Sequence, residues 1–317
     1  MATKLYDVLI IGGGPAGLAM ATALARQVYT ALVIDSGVYR NAPAKHIHNV
    51  LGFDHANPAD FRAKVREDLQ KRYESIEFKP ATIDTVRKLE TGVFEAVDSQ
   101  GAVYQGKKLG LGTGVRDLLD DQPEGYRECW GRGIFHCLYC EGFEERGAES
   151  VGVFAGGMIV APEMLAHVTP MAKRLAKSVT VYTNGDETLQ ASVQSKLKSS
   201  KISYDSRKIT SFQLVDEGPA VKMTFDDGSS KTEGFVVNHP SVVQAAPFAE
   251  QLGLAMQPSG DIKVEAPFNE TSVKGCFAAG DAATMMRSAV QAISMGGFGA
   301  IGMAIQLQNE LDEKDEL

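Results

Sequence analysis

Cys137 and Cys140 form a CxxC pair within Phe135-His136-Cys137-Leu138-Tyr139-Cys140-Glu141-Gly142-Phe143. This spacing serves two chemistries, half of a zinc site or a dithiol–disulfide pair. The other cysteines, Cys129 and Cys276, make no second CxxC, and the six histidines are scattered along the chain. That favours redox over zinc. Two sulfurs at this spacing can close a small ring. One thiolate of such a pair is stabilised by local dipoles and neighbours, which makes it a nucleophile at neutral pH. His136 is a candidate general base, because imidazole titrates near neutrality. Cys129 and Cys276 read as buried, unreactive thiols. Leu138, Tyr139 and Phe143 either line an aromatic pocket or belong to the core.

A redox pair needs elements that hold an electron acceptor beside it. Near the N-terminus the run Tyr6-Asp7-Val8-Leu9-Ile10-Ile11 reads as a buried strand. Gly12-Gly13-Gly14-Pro15-Ala16-Gly17 follows, then an apolar helix over residues 18–25 and a second strand, Ala31-Leu32-Val33-Ile34, ending at Asp35. GxGxxG alone is weak; between a strand and a helix, with an acidic residue after the second strand, it is a dinucleotide fingerprint. Gly12 permits the tight turn, Gly14 the approach of a pyrophosphate, and Gly17 close helix–strand packing. The helix N-terminus offers N–H groups and a positive dipole end to phosphate. Asp35 can accept hydrogen bonds from ribose hydroxyls.

Two later segments also end in loops suited to this fold, Lys108-Leu109-Gly110-Leu111-Gly112-Thr113-Gly114 and Gly275-Cys276-Phe277-Ala278-Ala279-Gly280-Asp281. They resemble the second and third fingerprints of flavoprotein reductases with two dinucleotide domains. Between them, residues 118–243 carry a further strand–turn–helix unit, a strand-rich stretch with a hairpin turn at Asp226-Asp227-Gly228, and the CxxC. This layout resembles the low-molecular-weight thioredoxin reductases along essentially the whole chain. The expected fold is α/β: two Rossmann-like dinucleotide-binding-type domains. An FAD domain (residues 1–117 and 244–317) is interrupted by a smaller inserted domain (118–243). The resemblance assigns FAD to Gly12, Gly14, Pro15, Ala16, Gly17, Asp35, Ser36, Arg40, Asn41, His48, Ile83, Thr113, Gly114, Gly280, Asp281, Ser288 and Ala289. Asp281 would hold the ribityl chain, and a helix over 288–308 would aim its N-terminus at the flavin pyrimidine ring. By the same resemblance Cys140 faces the flavin, Cys137 exchanges with substrate, and Glu141 relays protons to the leaving thiolate. Glu141 can do so only with a raised pKa.

The inserted domain departs from the reductase pattern. A working nucleotide turn wants glycine at its first and third positions and Gly or Ala at its sixth; here stand Ala155, Gly157 and Val160. Ala155 adds a Cβ to a tight turn, Val160 adds bulk where helix and strand should close, and Pro162 follows. After Val181-Tyr182, where the family places arginines for the NADPH 2′-phosphate, the chain has Thr183-Asn184-Gly185-Asp186-Glu187. Carboxylates repel a phosphate. FAD without NADPH is therefore expected, with electrons running from a substrate dithiol through Cys137–Cys140 to FAD and O2, giving H2O2. This pattern is similar to the thioredoxin reductase-like dithiol oxidases of the gliotoxin oxidase and holomycin oxidase group, which close a disulfide in a small epidithiodiketopiperazine-type metabolite. Arg40-Asn41-Ala42-Pro43-Ala44 with His46 and His48, and Phe143-Glu144-Glu145-Arg146-Gly147, fit that subgroup. Some relatives carry histidine after the second cysteine, so the base stays open between Glu141 and His136. The alternatives are an NAD(P)H-dependent thioredoxin or small-disulfide reductase and a flavin-binding regulatory protein without turnover.

The net charge is −8, from 32 basic and 40 acidic residues. That argues against nucleic-acid or anionic-membrane partners. No apolar run is expected to approach the roughly 18–20 residues that span a bilayer, and the N-terminal strand leaves no room for a signal peptide. A cytoplasmic enzyme is expected. Lys314-Asp315-Glu316-Leu317 spells an ER-retention address, but reads better as the solvated end of an acidic tail. The resemblance implies a homodimer.

Overall fold

A computed structural model describes residues 4–315; Glu316 and Leu317 of the acidic tail lie outside the described residues. In chain order the elements are β1 (Leu5–Ile11), α1 (Pro15–Ala25), β2 (Ala31–Asp35), α2 (Pro58–Arg72), β3 (Ile76–Pro80), β4 (Ile83–Lys88), β5 (Phe94–Asp98), β6 (Val103–Leu111) and β7 (Val115–Asp117). Then come α3 (Tyr126–Cys129), β8 (Ile134–Phe135), β9 (Ala148–Gly157), α4 (Pro162–Leu175), β10 (Ala176–Tyr182), α5 (Glu187–Lys196) and β11 (Ile202–Asp205). The remainder is β12 (Ile209–Leu214), β13 (Val221–Phe225), β14 (Ser230–Glu233), β15 (Val236–His239), β16 (Val242–Gln244), α6 (Phe248–Gln251), β17 (Cys276–Ala278) and α7 (Ala289–Asp312). Two compact units result. One is built from the stretches up to Arg116 and from Val243 onward, the other from Asp117–Val242.

The first unit is organised by a parallel sheet, β3-β2-β1-β6, that β17 extends along the C-terminal half of β6. The N-terminal half of β6 pairs instead with β5, which continues antiparallel into β4. All five residues of β2 are buried, as a strand covered on both faces requires. Alternation along β1 divides the core. Val8 and Ile10 face α1 and α7, while Leu9 and Ile11 face a second cluster with Ile34, Leu109 and Leu111.

Contrary to the expectation from sequence, α7 is by length and composition apolar enough to cross a membrane. Its apolar inner face has another use. At Gly296 an added Cβ would stand 2.3 Å from the Ala16 carbonyl oxygen, so α7 lies directly on α1.

The second unit repeats the parallel theme in a sheet of order β11-β10-β9-β15-β8 and adds an antiparallel meander, β12-β13-β14. The β13–β14 turn falls at residues 226–228, where Gly228 takes a left-handed φ of 79°.

Candidate active site

The redox pair follows β8, where Ile134 and Phe135 are buried against β15. Cys137 and Cys140 are joined as a disulfide with their Cα atoms 5.2 Å apart. The carbonyl of Cys137 accepts from the N–H groups of Cys140 and Glu141 at 3.0 and 3.1 Å, which folds the segment into one tight turn. Leu138 anchors that turn in the core. Gly142 is obligatory behind it, since a Cβ there would lie 2.5 Å from the Leu138 carbonyl oxygen. Tyr139 and Phe143 are exposed on either side, and the Arg146 guanidinium sits 3.9 Å from the centre of the Phe143 ring.

Burial, with the nearby Glu144 charge, pushes the Glu141 carboxyl up to about 7. Its Oε2 is buried and makes no hydrogen bond among the described residues. A carboxyl poised near neutrality can both take and return a proton. His136 stacks on Trp130 at 5.4 Å and meets the edge of His239 at 5.2 Å. The Nδ1 of His239 stands 2.9 Å from the Pro240 carbonyl oxygen. His239 and Trp130 escaped the sequence reading; β15 delivers the histidine from a distant part of the chain, and no spacing rule links it to the CxxC. Burial pushes the thiols of Cys129 and Cys276 up to about 11 and about 12, so both stay protonated and inert.

In the first unit the glycine turn is dictated by contacts. Gly12 has φ +112°, and a Cβ on it would meet the Gly112 carbonyl oxygen at 2.3 Å, beside the Thr113 backbone. A Cβ on Gly17 would lie 1.9 Å from the Gly12 oxygen. Gly14 differs, with no protein atom within 4 Å of that position. A Cβ there would instead fill the cradle in front of α1. The helix starts at Pro15 with no side-chain cap and no acidic residue in its first turn, so its end suits a pyrophosphate.

Asp35 is buried at the end of β2, against Gly13, and accepts from the Tyr39 hydroxyl and the Gly37 N–H. Gly13, Asp35, Tyr39, Arg62, Arg66 and Phe78 line one cleft. Arg62 stacks on Tyr39 at 3.7 Å and Arg66 on Phe78 at 4.5 Å. Tyr39, four residues after Asp35, and the two arginines were not foreseen; the arginines come from α2, which reaches the site only through the tertiary fold.

Arg40 pairs with Asp281 at 3.0 Å. Gly280 lies between the starts of α1 and α7, its would-be Cβ 3.1 Å from Ala16 and 3.2 Å from Ala292. Ser288 caps α7 by accepting from the Gln291 N–H at 3.1 Å, with Ala289 next to it. The expected cofactor residues Gly12–Gly17, Asp35, Arg40, Thr113, Gly280, Asp281 and Ser288 thus fit a dinucleotide. Gly114 ends the β6 loop, accepting from Ala245 N–H at 3.2 Å. Three of the assigned residues have side chains engaged elsewhere. The Ile83 side chain is packed in the core with Ile34 and Phe94, leaving only its main chain for a ligand. Asn41 spends its Oδ1 on Arg62, and Ser36 is exposed with its Oγ on the Val38 N–H. His48 groups with His46 and His55.

The second nucleotide-type turn, after β9, is filled by the protein itself. Asn238, fully buried, donates to the carbonyls of Phe154 and Gly156 at 2.8 and 3.2 Å and accepts from Tyr126. At Gly157 the His239 carbonyl oxygen stands 2.3 Å from a would-be Cβ. Val160 does not crowd the helix–strand junction as expected; it is exposed, because α4 begins only at Pro162. Glu163 occupies the first turn of α4, its carboxylate held low by Lys196 at 2.9 Å and by its own backbone N–H. Asp186 caps α5. An arginine does reach the end of β10, from beyond β11. Arg207 is bound by Asp205, Asp227 and Ser229 and stacked on Phe225.

The chain matches the family described as pyridine nucleotide-disulphide oxidoreductase over residues 6–296. It is 42% identical to thioredoxin reductase aclD of Aspergillus oryzae over 317 residues, covering 99% of each chain. It is 40% identical to thioredoxin reductase tcpT of Claviceps purpurea, covering 98% of this chain and 97% of the relative. The crystal structure of a putative thioredoxin reductase TrxB from Bacillus anthracis superposes with a TM-score of 0.85 at 25% identity, over 96% of this chain and 99% of the other. A disulfide turn, a glycine cradle before α1 and these likenesses agree: the chain belongs to the pyridine nucleotide-disulphide oxidoreductases, as a thioredoxin reductase-like flavoprotein acting on thiols and disulfides.

Proposed function

We propose that this protein oxidises a small-molecule dithiol, closing an intramolecular disulfide, with O2 as final acceptor. The observation that carries this direction is the second nucleotide turn. There Glu163 occupies the helix end that a phosphate needs, and Arg207 is already neutralised by two carboxylates. A helix N-terminus with its own carboxylate on it is a poor phosphate site.

One substrate thiolate attacks Cys137 Sγ and breaks the Cys137–Cys140 bond, releasing the Cys140 thiolate. The second substrate thiolate attacks the substrate sulfur of the mixed disulfide, so the product leaves as a disulfide and Cys137 as a thiolate. Glu141, near neutral pKa, takes the substrate proton and stabilises the reduced pair by returning it. FAD, held by the Gly12–Gly17 turn, Asp35 and Asp281, would supply the two-electron acceptor for the dithiol pair, with O2 as final acceptor and H2O2 as product. Exposed Tyr139 and Phe143 flank the pair and suit an apolar, ring-bearing substrate of the epidithiodiketopiperazine type.

Anaerobic mixing with reductant tests the reading. A small dithiol is expected to bleach the flavin absorbance within the turnover time, whereas NADPH and NADH leave it unchanged. Rapid bleaching by either nicotinamide overturns the oxidase and restores a reductase. The relatives, named thioredoxin reductases, favour that second reading.

A further inference from the structure

Three histidines that the sequence scatters are gathered by the loop between β2 and α2. Ile47 N–H donates to Ala56 O at 2.7 Å and His55 N–H to Ile47 O at 2.9 Å, so the arm 46–48 runs antiparallel to 55–56. His46 and His48, two residues apart on an extended arm, project to one side. Left-handed backbone at Asn49 (φ 64°) and His55 (φ 65°) brings the return arm back, so that a third imidazole joins them. A non-glycine residue held there costs on the order of 1–2 kcal/mol. The loop accepts that strain at the residue that completes the cluster.

One ring nitrogen from each histidine lies within 4.8 Å of the other two. The rings of His46 and His55 stack at 3.8 Å, and those of His48 and His55 are 5.3 Å apart. Behind them, Asp54 Oδ1 stands 3.5 Å from His48 Nδ1 and also accepts from the Asn49 N–H at 2.9 Å. A carboxylate on one imidazole nitrogen is the support that orients the other nitrogen toward a metal.

We propose that His46, His48 and His55 form a binding site for a borderline divalent cation of the Zn2+ class, with water in the fourth position. Three imidazoles and no oxygen ligand suit Zn2+ or Cu2+ rather than Mg2+ or Ca2+. Zn–N bonds of about 2.0–2.1 Å place tetrahedral nitrogens roughly 3.4 Å apart. The nitrogens, now within 4.8 Å of one another, have to draw together by side-chain rotation on binding. The cluster belongs to the first unit and does not depend on the dithiol reading.

The test uses the full chain, FAD-loaded and oxidised, so that Cys137 and Cys140 are locked in their disulfide and cannot ligate. Zn2+ is titrated against a chromophoric chelator. One tight equivalent per chain is expected, weakened at least about 100-fold by His55→Gly and about 10–100-fold by Asp54→Asn. Glycine accepts the left-handed φ at position 55 without strain. His55→Gly is therefore expected to melt no lower than wild type and to keep its flavin content, which separates loss of the metal from loss of the fold. Absence of saturable Zn2+ binding, or an affinity unchanged in both His55→Gly and His46→Ala, overturns the proposal and leaves the cluster as stacked imidazoles.

Discussion

Glu141 illustrates how one residue's environment sets both chemistry and stability. Its carboxyl is raised from 4.5 to about 7 by burial and then by the Glu144 charge. The folded state therefore keeps a proton that the unfolded chain loses between about pH 4.5 and 7. Across that window stability falls as pH rises, and above it the loss is complete. The full shift corresponds to about 3 kcal/mol. Replacing Glu141 with Gln is expected to flatten this dependence, measured as the urea midpoint against pH. The same substitution is expected to slow dithiol oxidation about 100-fold or more and to remove the inflection near pH 7 from its rate profile. An unchanged profile would assign the base to His136 instead.

Helix starts distinguish the two nucleotide-type turns. Both α1 and α4 begin with proline and lack a side-chain cap. At α1 the first turn carries no acid and Gly14 leaves a cradle; at α4 the first turn carries the Glu163 carboxylate, paired with Lys196. Glycines of the α1 turn therefore separate by role. Gly14→Ala meets no protein atom, so the flavin-stripped protein is expected to unfold within about 1 kcal/mol of wild type. Its FAD affinity is expected to fall at least about 10-fold, or 1.4 kcal/mol. Gly17→Ala places a Cβ 1.9 Å from a backbone oxygen and is expected to lower the unfolding midpoint of the stripped protein itself. Equal effects of the two substitutions on the stripped protein would refute the division.

At the scale of the molecule, α7 explains why its sequence looks membrane-like. One face packs on α1 through Gly296, while Phe298, Ile301 and Ile305, at helical spacing, remain exposed. An exposed apolar stripe of this kind marks a protein contact. We infer a homodimer that covers it. Light scattering on the eluting protein is expected to give twice the chain mass, and Phe298→Asp with Ile301→Asp to give the monomer mass. A wild-type monomer at micromolar concentration would rule the dimer out.

Much of this protein could be read without a structure, wherever the physics is local. Gly12–Gly17 and Asp35 were legible because a strand, a turn and a helix each leave a short-range pattern, and backbone sterics permit only glycine at Gly12 and Gly17. The CxxC was legible because two sulfurs three residues apart are brought together by a single turn. What needed the tertiary structure depends on contacts between distant residues. Burial raises Glu141, and no motif encodes burial. Arg62 and Arg66 join the Asp35 cleft only because α2 packs against α1 and β3. Val160 proved exposed because α4 starts only at Pro162, two residues beyond it. Arg207 lies at the end of β10 because parallel pairing places β11 beside it. The sequence alone determined that thiols and a dinucleotide cofactor meet in this protein's chemistry. Only the packing, through desolvation and opposed charges, decided which acid is poised to move a proton and which charged partners surround each turn.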